Sequence, residues 1–173
     1  PKTTELMRAM TYLVKKAVSI GRPISVNISF GNTYGSHDGT SLLERFLDNA
    51  SEVGRCVVCV GSGNEGAAMG HVSGNALQET VIEFSVGNYE GSFSIQLWKN
   101  YADIFQVILT SPGGKQAFFS TDESDRNGRV DGGRIRRILL ENTELLLYVG
   151  EPTPYSTQQE IYMDFLPEGR YVN

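Results

Sequence analysis

The stretch GRCVVCVGSGNEGAAMG, residues 54–70, ends an apolar run and then sets an amide and a carboxylate, Asn64 and Glu65, where nearly everything else is Gly, Ser or Ala. The apolar run before them, Cys56–Val60, reads as a buried strand. Small residues at a strand end clear room for an extended peptide. An Asn amide held there can donate to an oxygen that gains negative charge, the electrostatic role of an oxyanion hole. The alternative for Asn64 is a structural turn, because Asn tolerates left-handed backbone. Glu65 has two readings of equal weight: the floor of a specificity pocket that favours basic residues, or a cap on the next turn.

Other reactive types stand nearby. HDGTS, residues 37–41, offers His, Asp and Ser within five positions, too close together to form a triad without a contorted loop. Ser41, with Glu44 three residues on, instead has the pattern of a helix N-cap with a capping box. His37 and Asp38 then organise the loop or contact substrate. His71 has no partner in a zinc-ligand pattern and reads as a loop or interdomain contact. Cys56 and Cys59 have C-x-x-C spacing, but residues i and i+3 of a strand point to opposite faces, so a disulfide would be strained. They read as two small buried hydrophobes.

The elements that must position these groups follow from periodicity. TTELMRAMTYLVKKAVSIG carries Leu6, Met10, Leu13, Val14, Ala17 and Val18 on one helical face and stops at Gly21, with Pro23 beyond. ISVNISF follows as a β-branched strand, then a polar Gly-rich loop, a second helix from residue 41 that closes on Gly54, and the strand CVVCV. Helix, strand, helix, strand with a connection of this length implies a parallel pair with a crossover helix. Ligands collect at the carboxyl ends of such strands. Ser29, Phe30, Gly31 and Asn32 should therefore face Gly61, Ser62 and Gly63 across a narrow gap.

Beyond residue 76 the helical period disappears. TVIEFSVG, FSIQLWKN, FQVILTSPGG, QAFFS, TELLLYVG and QEIYMDFLPEG are β-branched and aromatic runs separated by turn residues. They predict an antiparallel, jelly-roll-like β-sandwich over 77–173, after an α/β layer over 1–76. Trp98, Tyr89 and Tyr101 are its candidate recognition aromatics, although such residues more often fill a sandwich core.

Composition narrows the classes. The 173 residues are 40% hydrophobic and 20% charged with a net charge of -5, and RIRR at 134–137 stands alone as a basic cluster. That argues against a nucleic-acid partner. No apolar run reaches the length of a membrane span and no secretory signal opens the sequence. No metal or cofactor is expected. A start at PKTTELM and a stop at GRYVN read as cuts in a longer chain.

VNISFG and VGSGNEG, with the intervening helix, resemble the subtilisin-like serine proteases. In that family I-N-x-S-x-G and A-x-G-N-x-G supply the two walls of the primary specificity pocket, the second also the oxyanion Asn. PISVNISFGNTYGSHDGTSLLE and GNEGAAMGHVSG are most similar to the clostridial-type branch, which includes germination proteases of spore-forming bacteria. There a jelly-roll domain lies between the oxyanion Asn and the nucleophilic Ser, and IQLWKNYADIFQVILTSPGG resembles part of it. The resemblance implies that Asn64 is the oxyanion donor and that Ser29, Phe30, Gly31, Asn32, Gly61, Ser62, Gly63 and Glu65 line the cleft for a peptide substrate. It also implies a bacterial protein, cytoplasmic or associated with spore or envelope. The family's Asp and His fall upstream of residue 1 and its Ser downstream of residue 173, so the chain alone is expected to be inactive and, with a cut sheet edge, to self-associate. The competing class is a pseudoprotease or a β-sandwich binding module.

Overall fold

The computed structural model describes residues 2–31, 33–87, 91–122, 135–151 and 153–167. It divides into two compact units, Pro1–Ile82 and Glu83–Asn173.

The first unit contains α1 (Thr3–Ser19), β1 (Ile24–Ile28), α2 (Leu42–Glu52) and β2 (Cys56–Val60). Helix α1 starts where the Lys2 amide donates to Glu5 Oε2 at 2.9 Å. It stops at Gly21, whose φ of 65° lets Arg22 N–H reach back to the Ala17 carbonyl at 3.0 Å, the left-handed ending that Gly favours. Met10, Val14 and Ala17 form its buried stripe. Strands β1 and β2 are parallel, in register from Ile24 opposite Cys56 to Ile28 opposite Val60, with α2 as the crossover. Cys56 is half-buried and Cys59 exposed, and both are free thiols. The reading of both as buried hydrophobes is thus corrected for Cys59. It lies on the strand face shared with the exposed Ser25, Asn27 and Val57, which no described residue buries.

The second unit is antiparallel. A four-stranded sheet runs in the order β3 (Phe93–Asn100), β8 (Gln158–Pro167), β7 (Thr143–Val149), β6 (Ile135–Leu140), and β4 (Gln106–Thr110) pairs with β5 (Gln116–Ser120). Alternation sends Leu145 and Leu147 of β7 and Ile161, Met163 and Phe165 of β8 inward, where they meet Phe119 of the hairpin. Leu145, Leu147, Ile161 and Phe119 are completely buried, each stabilising the unit by about 1.5–3 kcal/mol through transfer from water. The result is a two-layer β unit.

Two expectations change here. Residues 80–87 form no strand, and Val81, Ile82 and Phe84 are more than half exposed. A β-branched run becomes a strand only when a neighbouring segment takes its backbone hydrogen bonds, and no described residue pairs with it as a strand. Phe84 is held by its ring alone, against Phe93 and Phe165 at 5.8 Å and 6.5 Å. Conversely β6 is built from IRRILL, which is absent from the runs read as strands. Its Arg136 is buried.

Candidate functional site

Parallel pairing brings the carboxyl ends of β1 and β2 out side by side. The last bond between them runs from the Gly61 amide to the Ile28 carbonyl, at 3.0 Å, and beyond it both chains leave the sheet. Ser29, Phe30 and Gly31 emerge from β1, with Phe30 half-buried and its two neighbours exposed. Ser29 Oγ is held by the Asn27 side-chain amide at 2.8 Å. Asn32 lies outside the described residues.

On the other side Gly61, Ser62, Gly63, Asn64 and Glu65 are all exposed. Gly63 has a φ of 97°, whereas Asn64 is not among the residues with positive φ. The left-handed backbone that an Asn could have supplied is taken by the glycine before it. The Asn64 side chain is exposed and makes no hydrogen bond to another described residue. Glu65 accepts from the Ala68 amide at 2.9 Å through its backbone carbonyl, and its carboxylate takes no part in that turn.

The HDGTS loop is organised around Asp38. Its Oδ1 accepts from the Ser36 hydroxyl at 2.5 Å, the Thr40 hydroxyl at 2.6 Å and the Thr40 amide at 3.1 Å. These bonds, led by Ser36, favour the ionised form and hold the carboxyl below its ordinary range. Ser41 Oγ accepts from the Glu44 amide and Glu44 Oε2 from the Ser41 amide, so Ser41 is the N-cap that its spacing implied. His37 adopts a φ of 56° and its Nε2 lies 3.1 Å from the Thr33 carbonyl oxygen. Its ring stacks on His71, centroids 6.2 Å apart with planes 15° apart. That pairing joins the loops after β1 and β2. No spacing rule in the sequence signals it, because the two residues belong to separate loops.

No cluster of three or more metal-ligating side chains occurs among the described residues, and no described helix is long and apolar enough to cross a membrane. Of the sandwich aromatics, Tyr89 lies outside the described residues and Trp98 and Tyr101 are half-buried.

No family model matches the chain. No curated protein matches it either. Among solved structures it is similar to the Clostridium perfringens CspB protease, with a TM-score of 0.82 and 27% identity over 99% of this chain. The match covers 34% of that protein, so the chain spans about a third of its length. The fold of the chain is therefore similar to that of a segment of a clostridial protease.

Proposed function

We propose that the chain is a segment of a subtilisin-like serine endopeptidase of the clostridial, germination-protease-like branch. In this reading Asn64 is the oxyanion-hole donor. Ser29, Phe30, Gly31 and Asn32 form one wall of the cleft, and Gly61, Ser62, Gly63 and Glu65 form the other. The second unit is the jelly-roll domain inserted between the oxyanion Asn and the nucleophile, while the Asp, His and Ser of the triad belong to other segments of the parent enzyme.

The observation that carries the reading is the exposed Asn64 amide, without a hydrogen bond to another described residue, one residue after the left-handed Gly63 and beside the carboxyl end of a parallel strand. A donor free of other partners and carried on a strand end is available to the scissile carbonyl as it becomes an oxyanion. Support also comes from the likeness to the clostridial protease along nearly the whole chain.

The test is Asn64→Ala in the full-length parent enzyme. Its kcat should fall while KM stays nearly constant, because the ground-state carbonyl uses the donor little. The expected size, about 10²- to 10³-fold, is borrowed from subtilisin, in which loss of such a donor has that effect. A folded variant with the parent's kcat would remove Asn64 from the mechanism.

A further inference from the structure

The outward face of the four-stranded sheet differs in chemistry from its buried face. Register sets Trp98 opposite Glu160, Gln96 opposite Tyr162 and Ser94 opposite Asp164, and Tyr162 opposite Tyr148 on the next strand. These residues alternate with the buried Ile161, Met163 and Phe165, so they share the other face.

Hydrogen bonds across β3 and β8 on this face run toward carboxylates. Tyr162 Oη donates to Ser94 Oγ at 2.8 Å, and Ser94 Oγ donates to Asp164 Oδ1 at 2.9 Å. Gln96 Nε2 donates to Glu160 Oε1 at 2.8 Å. These donors are spent within the sheet, the Trp98 indole N–H is buried with no hydrogen-bond partner among the described residues, and the carboxylates of Glu160 and Asp164 keep lone pairs to offer. The cation of the face, Arg137, lies 3.6 Å from Glu144. Glu160 and Asp164 have no ion pair among the described residues.

Around Glu160 the surface is shaped as well as charged. Gly150, on the far side of Glu160 from Trp98, donates its N–H to the Glu160 carbonyl at 2.7 Å and contributes no side chain. Trp98 supplies the ring type that attracts cations most strongly. Burial pushes the Glu160 carboxyl above its ordinary range, against the effect of the Gln96 bond. A cation placed beside it would relieve that cost of desolvation.

We infer that this face docks a polypeptide segment bearing Lys or Arg, one cation seated on Glu160 beside Trp98 and a second on Asp164. The two acids are four residues apart on β8, about 13 Å along an extended strand, so a segment lying along β8 needs basic residues four positions apart. An acceptor-rich, negative face complements such a segment directly. The inference does not depend on the role of Asn64.

Trp98 is the single tryptophan of the chain, so its fluorescence reports on the face. The probe is a nine-residue synthetic peptide with Arg at its third and seventh positions and Ser, Thr and Val elsewhere, titrated into the 173-residue chain. The expected result is a saturable change in Trp98 emission, weakened by salt and strengthened as pH rises through the titration of Glu160. Its apparent Kd should rise at least tenfold in the double variant Glu160→Gln and Asp164→Asn and stay constant in the charge-matched control Asp48→Asn and Glu52→Gln. If the double variant fails to fold, replacing both arginines of the peptide by citrulline makes the same comparison and should also raise Kd at least tenfold. No binding at millimolar peptide, equal loss in the control variant, or a response to a neutral chito-oligosaccharide but not to the peptide would each overturn the inference.

Discussion

The Glu44 amide donates to the Ser41 hydroxyl at 3.3 Å while the Ser41 amide donates to the Glu44 carboxylate at 3.0 Å. Both side chains are therefore spent on starting α2. Ser41→Ala should lower stability by about 1 kcal/mol, the usual effect of losing such a cap, detected as a lower Tm. In the proposed full-length protease its kcat per folded molecule should be unchanged. The isolated chain should resist labelling by a fluorophosphonate, and labelling that disappears in Ser41→Ala would make Ser41 a nucleophile after all.

Gly63 tests the positioning of Asn64 without touching its amide. At a φ of 97° a Cβ is strained whatever the free space, and Gly63→Ala should cost about 1–2 kcal/mol. The backbone can escape the strain only by turning, which swings Asn64 away. In the proposed full-length protease kcat should fall with KM nearly constant. A fall in Tm with kcat unchanged would show that the strand end tolerates the shift.

Leu147 packs among Phe119, Ile161 and Met163 and is completely buried. Leu147→Ala should destabilise the second unit by about 2–5 kcal/mol, since a cavity adds to the lost transfer energy. Denaturant unfolding followed by Trp98 emission measures this directly. Ile161→Val should cost only about 0.5–1.5 kcal/mol.

Glu160 gives a pH signature. Desolvation raises its folded value above the ordinary 4.5, so the folded state holds the proton more tightly. The associated stability is fully present below pH 4.5 and is lost as pH rises through the folded value. Glu160→Gln keeps the acceptor for Gln96 and removes the charge. Its Tm should be less dependent on pH across that window and at pH 7 should equal or exceed the parent's by about a degree or two. A lower Tm at pH 7 would mean that the carboxylate is stabilised by contacts beyond Gln96.

Local rules carried the first unit well. The stripe Met10, Val14 and Ala17, the stops at Gly21 and Gly54 and the Ser41 box each depend on residues within a few positions of one another, and such signals survive in a linear sequence. What depends on distant partners was harder to read. The run 80–87 has strand composition, yet a strand also needs a neighbour to take its hydrogen bonds, and composition does not record one. β6 carries Arg136, a residue type that is seldom buried but occupies the inward register of IRRILL here. Cys59 looked buried because it lies in an apolar run and free Cys tends to be buried. Near the candidate site, the side-by-side ends of the parallel strands β1 and β2 were legible from periodicity and connection length. The His37–His71 stack was not, since it is set by how two loops fold toward each other.

The pairing of β3 with β8 also bears on how the polypeptide is made. Ser94 and Asp164, bonded across these strands, are 70 residues apart. At about 5–20 residues per second, a ribosome needs roughly 4–14 s between them. Throughout that interval β3 emerges without the neighbour that completes its ladder, and its apolar Phe93, Ile95 and Leu97 await the strand that anchors their side of the core. Pairings this distant in sequence form slowly. Nascent chains halted before β8 should therefore be more prone to cleavage by added protease and to capture by chaperones than chains released after it.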